Sequence, residues 1–201
     1  MDFRKLDYND TDKMLSLIID MYSNIENLEW MPVLPIDRLN VANLLTNSRY
    51  YYIGAFENNK LVGAGSLDFK CSNLFGVVQF PKEYNEKNLV QIGPSLVHSE
   101  YQGRGIMKEM VSHLTDLAKE LKYEYIFSLA HKYSFASVYS FLHSGFNNLC
   151  DYNLKISRKD FLNLASQDYI SDNAYINAER TLTQTKGDLK FPFFILVKPI
   201  K

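Results

Sequence analysis

Residues 97–110 read VHSEYQGRGIMKEM, and this stretch decides how the rest of the chain is interpreted. An apolar, strand-like run precedes it, and a strongly periodic, helix-like run follows it. Gly103 and Gly105 flank Arg104 at the junction between the two patterns. Glycine can simply turn the chain here, or it can expose backbone N–H groups at a helix start so that an anion binds against them.

The periodic run after the glycines predicts an amphipathic helix. Its apolar positions form one stripe over about four turns, while lysine and glutamate occupy the other side. The stripe consists of Met107, Met110, Val111, Leu114, Leu117, Ala118 and Leu121. A buried strand over 123–130, a helix over 134–144 that ends before Gly145, and a strand over 146–154 are predicted to follow.

The first seventy residues predict a strand, two helices and a hairpin. A strand over 3–6 precedes a helix that Asp10 or Thr11 can cap and that ends near Asn27. A shorter helix is predicted over 36–47, with Asp37 in its first turn. Strands over 50–56 and 60–69 should form a hairpin, because Asn58 and Asn59 tolerate the positive φ of a two-residue turn.

Three segments interrupt this regular pattern. Residues 70–90 either hold an extra strand around LFGVVQF or form a surface excursion. The strand predicted over 91–97 contains Gly93 and Pro94, which fit an edge, a bulge or a place where two strands separate. Residues 157–188 are polar, with FLNLA as their most helical piece, and precede a last strand over 191–197. The element order predicts an α/β fold with a mixed sheet.

The composition is that of a globular protein and excludes several function classes. The chain has 201 residues, of which 46% are hydrophobic and 22% charged. A net charge of −1 provides no field to gather nucleic acid or an anionic membrane surface, so neither is an expected partner. Cys71 and Cys150 are too few for a zinc site or a disulfide scaffold and are predicted to be reduced. The N-terminus lacks an apolar targeting segment, which predicts a cytoplasmic protein.

The glycine turn matches neither of the common phosphate-binding motifs. Only two glycines are present, so GxGxxG is absent, and no GK[ST] follows for a P-loop. A dinucleotide or ATP site is therefore not expected. The surrounding sequence still favours an anion-binding site, because a strong helix begins directly after the glycines and Arg104 and Lys108 add local positive charge.

Residues 97–107 resemble the signature of the GNAT superfamily of acyl-CoA-dependent N-acyltransferases, in which Arg/Gln-x-x-Gly-x-Gly/Ala starts the central helix. Gln102 matches the first position and Gly105 the fourth, whereas Met107 replaces the final Gly/Ala. Residues 130–146 are similar to a second block of the family, with Ser134 where asparagine is usual. The resemblance implies a mostly antiparallel central sheet with one splayed parallel strand pair and helices on both faces.

The resemblance also implies that acetyl-CoA is the co-substrate and that no metal takes part. The pantetheine arm would pair with the splayed strand, and the pyrophosphate would lie on the amides of the glycine turn. The implied cofactor-binding residues are Leu96, Val97, Gln102, Gly103, Arg104, Gly105, Ile106, Met107, Ser134 and Ser137. A single GNAT-like domain would span residues 1–201, with an insertion at about 157–188. Expected partners are acetyl-CoA and a small amine or peptide, and a homodimer stays open.

The catalytic residues cannot be assigned from the sequence. The implied reaction is direct attack of an amine on the thioester, with the amide of Leu96 or Val97 facing the oxyanion. Gly93 stands where many relatives carry a glutamate base, and Phe141 where a tyrosine acid is usual. A non-catalytic acyl-CoA-binding module and an interaction domain without a CoA site are therefore alternatives. His131 fits either a base or a structural histidine, and His98 is predicted to be an exposed turn residue.

Overall fold

The computed structural model describes residues 1–24, 34–70, 82–85, 88–156 and 189–200. Several predictions fall outside these ranges. They concern Cys71, the strand around LFGVVQF, the end of the first helix near Asn27, and the segment 157–188 with FLNLA.

Strands and helices follow the predicted order closely. The strands are β1 Asp2–Lys5, β2 Tyr50–Glu57, β3 Lys60–Asp68, β4 Leu89–Ile92, β5 Leu96–Val97, β6 Tyr125–His131, β7 Asn147–Ile156 and β8 Leu189–Pro199. The α-helices in the described part of the chain are α1 Thr11–Asn24, α2 Arg38–Thr46, α3 Ile106–Glu120 and α4 Phe135–His143.

One mixed sheet contains all eight strands. Seven of them lie in the order β1-β2-β3-β4-β6-β8-β7, and β5 pairs with β3 beside this path. The β4–β6 pair is parallel and the other pairs are antiparallel. The predicted mixed, mostly antiparallel sheet is confirmed.

Helices cover both faces of the sheet, as predicted. On one face α3 buries five apolar side chains against the sheet, and each of the four larger ones contributes about 1.5–3 kcal/mol. These are Ile106, Met110, Val111, Leu114 and Ala118. On the other face α1 and α2 enclose a second core that includes Tyr22, Tyr52 and Phe56. Leu121, predicted in the α3 stripe, is 49% exposed because it follows the last helical residue.

Two predicted turns are confirmed by their backbone angles. Asn58 and Asn59 have φ of 50° and 64°, as a two-residue turn between β2 and β3 requires. Gly145 has φ of 84° directly after the C-cap of α4. Its freedom at positive φ lets the chain leave the helix and enter β7.

The start of α1 differs from the prediction that Asp10 or Thr11 caps it. A short 3-10 helix, Tyr8–Asp10, leads directly into α1, and Asp7 is the N-cap of this 3-10 helix. Asp10 instead closes a capping box on the Asp7 N–H and binds Arg4 through both carboxylate oxygens, at 2.6 and 2.7 Å. Asp37 likewise caps α2 by accepting the Asn40 N–H, rather than lying in its first turn.

Asp10→Ala is expected to reduce the free energy of unfolding by about 2 kcal/mol at neutral pH, because it removes the capping-box acceptor of the Asp7 N–H and the buried half of a bidentate ion pair. The Arg4 guanidinium holds the pKa of the Asp10 carboxyl below its usual range. The carboxylate therefore stabilises the fold above its unfolded pKa of about 4, and this contribution is lost as pH falls through the lower folded-state pKa. Urea unfolding at several pH values measures the effect.

Asp12→Ala is the matched control, because the Asp12–Arg38 pair is exposed on both sides. Its expected cost is clearly smaller than that of Asp10→Ala, because an exposed ion pair contributes little in water. Equal losses in the two variants, or an Asp10→Ala loss that persists in acid, would contradict the prediction.

Candidate active site

The sheet opens between two of its central strands. β8 pairs with the whole of β6, from Tyr125 to His131, whereas β4 pairs with β6 only as far as Ile92 and Ser128. The last three residues of β6, Leu129–His131, therefore have no strand partner on the β4 side among the described residues. β5 continues the line of β4 but pairs with β3 alone among the described strands. The Gly93–Pro94 interruption is therefore a place where two parallel strands separate, which was one of the three predicted readings.

Local contacts with β3 explain where the strand breaks. The Gly93 N–H donates to Ser66 O at 2.9 Å, and Pro94 has no N–H to continue a ladder. Ser66 donates from Oγ to Pro94 O at 3.3 Å. A Cβ at Gly93 would lie 2.6 Å from Ser66 Oγ, so the serine hydroxyl fills the space that a larger residue would need.

The register of β5 determines which backbone amide, that of Leu96 or that of Val97, points toward the open side of the strand. The His98 N–H donates to Val62 O at 2.9 Å, so His98 faces β3. Alternate residues of an antiparallel strand point to opposite edges. The Leu96 N–H therefore also points toward β3, whereas the Val97 N–H and C=O point away from β3 toward the open side.

A cavity of about 260 Å³ occupies the gap between the separated strands. Three predicted cofactor-binding residues, Met107, Ser134 and Ser137, line it. Gly93 and Phe141, which stand where many relatives carry a glutamate base and a tyrosine acid, line it as well. The remaining lining residues among those described are Gln91, Ile92, Pro94, Ser95, Ser128, Leu129, Ala130, His131 and Phe193.

The glycine turn presents open backbone at the N-terminus of α3. Gly103 and Gly105 have φ of 76° and 81°, and no atom lies within 4 Å of a Cβ built on either residue. Gly105 is the N-cap, and the Glu109 N–H makes the first helical bond to Gly105 O at 3.1 Å. The preceding N–H groups have no acceptor within the helix, and the dipole adds positive potential.

Two predicted residues of this turn already have contacts in the protein. The Gln102 N–H donates to Ser99 O at 3.4 Å, which leaves the amides from Gly103 to Met107 as candidate anion donors. Arg104 donates to Glu100 O at 3.1 Å, lies over the Tyr101 ring, and has its Nη1 3.9 Å from a Glu57 carboxylate oxygen. Its charge is therefore partly balanced by Glu57.

Asp20 of α1 holds the segment before this turn. Its carboxylate accepts the Ser99 N–H at 2.8 Å and the Ser99 hydroxyl at 2.9 Å, and it lies 3.6 Å from His98 Nε2. The prediction that His98 is an exposed turn residue is wrong, because its side chain is only 14% exposed beside this carboxylate. No local sequence signal links Asp20 to Ser99 across 79 positions.

The two serines of the second family block form a pair at the start of α4. Ser134 donates from Oγ to Ser137 Oγ at 3.1 Å, and both residues line the cavity. Ser134 is the N-cap of α4 but makes no side-chain capping bond. Its hydroxyl therefore faces its neighbour and the cavity rather than the helix backbone.

Two other side chains that could act in catalysis, Tyr139 and Asp68, are not among the residues that line the cavity. Tyr139 is 63% exposed and stacks on His143, so it does not take the place of Phe141. Asp68 is held by Arg49 through two bonds of 2.6 and 2.8 Å, which indicates a structural role. Glu26, Glu29 and Trp30, which the family resemblance would place in the loop that covers the acceptor, lie outside the described residues.

His131 lies at the end of β6, inside the cavity wall. It is 3% exposed, its ring edge packs against Phe193, and its Nδ1 accepts the Tyr133 N–H at 3.3 Å. Burial lowers the pKa of His131 below its ordinary value, so the ring is neutral at physiological pH. The structure brings this histidine to the cavity, whereas the sequence left its role open.

Comparison with known proteins agrees with this geometry. The profile of the Acetyltransferase (GNAT) family matches residues 11–146. The chain belongs to the GNAT family. Membership confirms the resemblance carried by the glycine turn and the second block, and it supports acyl transfer as the general activity of this GNAT protein.

Solved structures share the GNAT fold over nearly the whole chain. The yncA protein of Salmonella typhimurium, with its cofactor acetyl-CoA, has a TM-score of 0.63 at 14% identity over 100% of this chain and 94% of that one. Ribosomal-protein-alanine N-acetyltransferase of Brucella melitensis has a TM-score of 0.63 at 17% identity, covering 99% of each chain. Identities this low establish the fold alone. No curated protein matches the GNAT chain in sequence.

The described part of this GNAT protein contains neither a candidate membrane span nor a candidate metal site. None of its helices combines the length and apolar character that crossing a bilayer requires. No group of three or more histidine, cysteine, aspartate or glutamate side chains in the same residues could hold a metal ion.

Proposed function

We propose that this GNAT protein is an N-acetyltransferase that transfers the acetyl group of acetyl-CoA to a primary amine of a small molecule or peptide. The observation that carries the proposal is the open edge of β5 beside a helix with unpaired N-terminal amides. Acetyl-CoA carries its thioester on an extended pantetheine arm that is joined to a diphosphate. The arm would pair with the backbone at the open edge of β5, and the diphosphate would accept hydrogen bonds from the N–H groups at the start of the helix.

The residues of the site fit acetyl-CoA as a co-substrate. The Val97 N–H and C=O can pair with the pantetheine amides as a neighbouring strand would. The amides of Gly103–Met107, with empty space around both glycines, can receive the diphosphate. Ser134 and Ser137 can supply hydroxyl groups beside the arm, and Met107 lines the cavity from the first turn of α3.

The reaction follows from these positions. The neutral amine attacks the thioester carbon and forms the C–N bond, and the carbonyl electron pair moves onto oxygen. The Val97 N–H faces that oxyanion on the open side of β5. Collapse breaks the C–S bond, and the electron pair leaves with sulfur. The proton lost by the amine nitrogen passes through water to the CoA thiolate, which gives an amide and free CoA.

Ser134→Ala and Ser137→Ala are each expected to weaken acetyl-CoA binding about fivefold, because one neutral hydrogen bond contributes about 1 kcal/mol. Isothermal titration calorimetry measures the change in Kd. Ser140→Ala is the matched control, since its hydroxyl donates to Ala136 O on the same helix and does not line the cavity. Unchanged affinity in both cavity variants would remove these serines from the site.

A non-catalytic acyl-CoA-binding module is the second candidate. It is favoured by Gly93 and Phe141, because the described cavity wall contains neither a carboxylate nor a tyrosine. Such a module would bind acetyl-CoA without releasing CoA in the presence of amines.

A thermal-shift titration with acetyl-CoA, followed by a free-thiol assay against a panel of amines and peptide N-termini, tests the proposal. Stabilisation together with amine-dependent CoA release supports the enzyme. Stabilisation with background thiol release across the panel supports the module. An unchanged melting temperature at millimolar acetyl-CoA would contradict both and favour an interaction domain.

Three expectations from the sequence stay predictions. They are a single GNAT-like domain over residues 1–201 with an insertion at about 157–188, a homodimer as one open assembly, and a cytoplasmic location. The acceptor also stays open, because neither the fold nor the described cavity residues identify one amine.

A further inference from the structure

The glycine turn does not fix its own geometry, so the residues on both sides of it must do so. Glycine adopts many backbone conformations at similar energy, and no atom lies within 4 Å of a Cβ built on Gly103 or Gly105. On the C-terminal side the chain is fixed by α3, which begins at the turn. On the N-terminal side lies a 3-10 helix, Ser99–Tyr101. The last backbone bond of β5, from the His98 N–H to Val62 O, ends before this helix.

Asp20 of α1 holds the 3-10 helix from outside. Its carboxylate accepts the Ser99 N–H at 2.8 Å and the Ser99 hydroxyl at 2.9 Å. Asn24, on the same helix, donates to this carboxylate at 3.2 Å and helps to orient it. The Asp20 side chain is only 17% exposed, and hydrogen bonds to an ionised acceptor are stronger than neutral ones. Both polar groups at the start of the 3-10 helix are therefore tied to α1.

The other charged contacts of this segment are weaker. Lys60 of β3 lies 3.5 Å from Glu100, and the two side chains are 47% and 72% exposed. The Arg104–Glu57 pair has a separation of 3.9 Å and is also open to solvent. Exposed pairs of this kind contribute little, because water screens them. Among the described side-chain contacts from other elements, that of Asp20 therefore restrains the 3-10 helix most.

Backbone bonds carry this restraint to the glycine turn. His98 O accepts the Tyr101 N–H at 2.8 Å, and Ser99 O accepts the Gln102 N–H at 3.4 Å. Gln102 is the C-cap of the 3-10 helix and directly precedes Gly103. The position of Ser99 therefore sets the direction in which the chain enters the turn, and with it the direction of the open amides.

We infer that Asp20 is a positioning residue, which holds the Ser99–Tyr101 helix so that the amides of the glycine turn face the diphosphate of CoA. The inference rests on the proposed function, because that function places the diphosphate on this turn. Preorganised amides bind more tightly, since less ordering is needed on binding. Charge alone has the opposite effect, because a carboxylate repels a diphosphate. Weaker CoA binding without Asp20 therefore indicates positioning, and tighter binding indicates repulsion.

Isothermal titration calorimetry with CoA tests two substitutions of Asp20. Asp20→Ala should raise the Kd about tenfold, because Ser99 loses the acceptor of both its hydrogen bonds. Asp20→Asn should stay within about twofold of the wild type, since its amide oxygen accepts the Ser99 N–H and its NH2 group can donate to the hydroxyl. Asp12→Ala is the matched control and should leave the Kd unchanged, because Asp12 forms an exposed pair with Arg38 on the same helix.

Two parts of CoA separate positioning from a general loss of structure. Pantetheine has the arm without the diphosphate, whereas 3′-phosphoadenosine 5′-diphosphate has the diphosphate without the arm. Asp20→Ala should weaken binding of the nucleotide about tenfold, as for CoA. The Kd of pantetheine, measured by nuclear magnetic resonance titration, should not change. Equal losses for both ligands would show that Asp20 only supports the fold, and would overturn the inference.

Ser99→Ala is the second variant, in case Asp20→Ala does not fold. It removes the hydroxyl bond to Asp20, keeps the N–H bond, and should raise the Kd of CoA about threefold. An unchanged Kd in Ser99→Ala would overturn the inference. So would an unchanged or lower Kd in Asp20→Ala, or a loss in Asp20→Asn as large as in Asp20→Ala. In each case CoA binding by the wild type leaves the proposed function standing, whereas a wild type that does not bind CoA overturns both.

Discussion

Gly105→Glu is expected to abolish acetyl-CoA binding. The substitution puts a carboxylate at the N-cap of α3, where the amides of the turn would otherwise bind the diphosphate. The negative carboxylate and the negative diphosphate would then repel each other at close range. The wild-type protein should gain about 2.7 kcal/mol of stability at an acetyl-CoA concentration of about 100 times Kd. A thermal-shift titration should show that this gain is absent in the variant.

The fold should survive the change for two reasons. The Cβ enters open space, because no atom lies within 4 Å, and an acidic side chain at a helix N-terminus interacts favourably with the dipole. The cost comes from the positive φ of 81°, which disfavours an L-residue by about 1–2 kcal/mol. Gly105→Ala has the same backbone cost without charge or length, so it is the matched control. Undiminished acetyl-CoA affinity in Gly105→Glu would remove the diphosphate from this turn.

Val97→Pro is expected to lower kcat by two to three orders of magnitude, about the effect of removing one oxyanion-hole donor. Proline lacks the N–H that faces the open side of β5, while its carbonyl remains. The pairing of β5 with β3 should persist, because the Val97 N–H does not point toward β3. Steady-state kinetics with the acceptor identified in the amine screen, together with acetyl-CoA titration, measure the effect.

Leu96→Pro and Val97→Ala are the controls for this prediction. Leu96→Pro removes an N–H that points toward β3, and it replaces a leucine side chain that is buried in the second core. This variant should therefore mainly reduce stability. Val97→Ala retains the amide and should keep most of the activity. If Val97→Pro is folded and as active as Val97→Ala, the Val97 amide does not face the oxyanion.

Much of the fold could be predicted because its signals are local. The α3 stripe repeats with helical period, Asn58 and Asn59 specify a turn that requires positive φ, and Gly145 ends α4. Each of these depends on residues within a few positions of one another, so the sequence alone contains the physical cause. The same holds for the glycine turn, where two glycines flank Arg104 directly before a strong helix.

Helix starts were predicted less well because several residues compete for each cap. Asp7, Asp10 and Thr11 all have side chains that can cap a helix. The structure assigns the cap to Asp7, because Arg4 from the neighbouring strand binds Asp10. A contact between two elements therefore decided what local preference left open.

The candidate site shows the same division between features that local sequence predicts and features that contacts between distant residues decide. Sequence determined that a glycine turn would precede a long amphipathic helix, that Gly93 and Pro94 would interrupt a strand, and that two serines would begin the next helix. Tertiary structure decided which amide of β5 faces the gap, since strand edges are assigned only by pairing with β3. It also brought Asp20 to Ser99 and His131 into the cavity wall. Contacts between residues far apart in the chain depend on packing, for which no short sequence pattern exists.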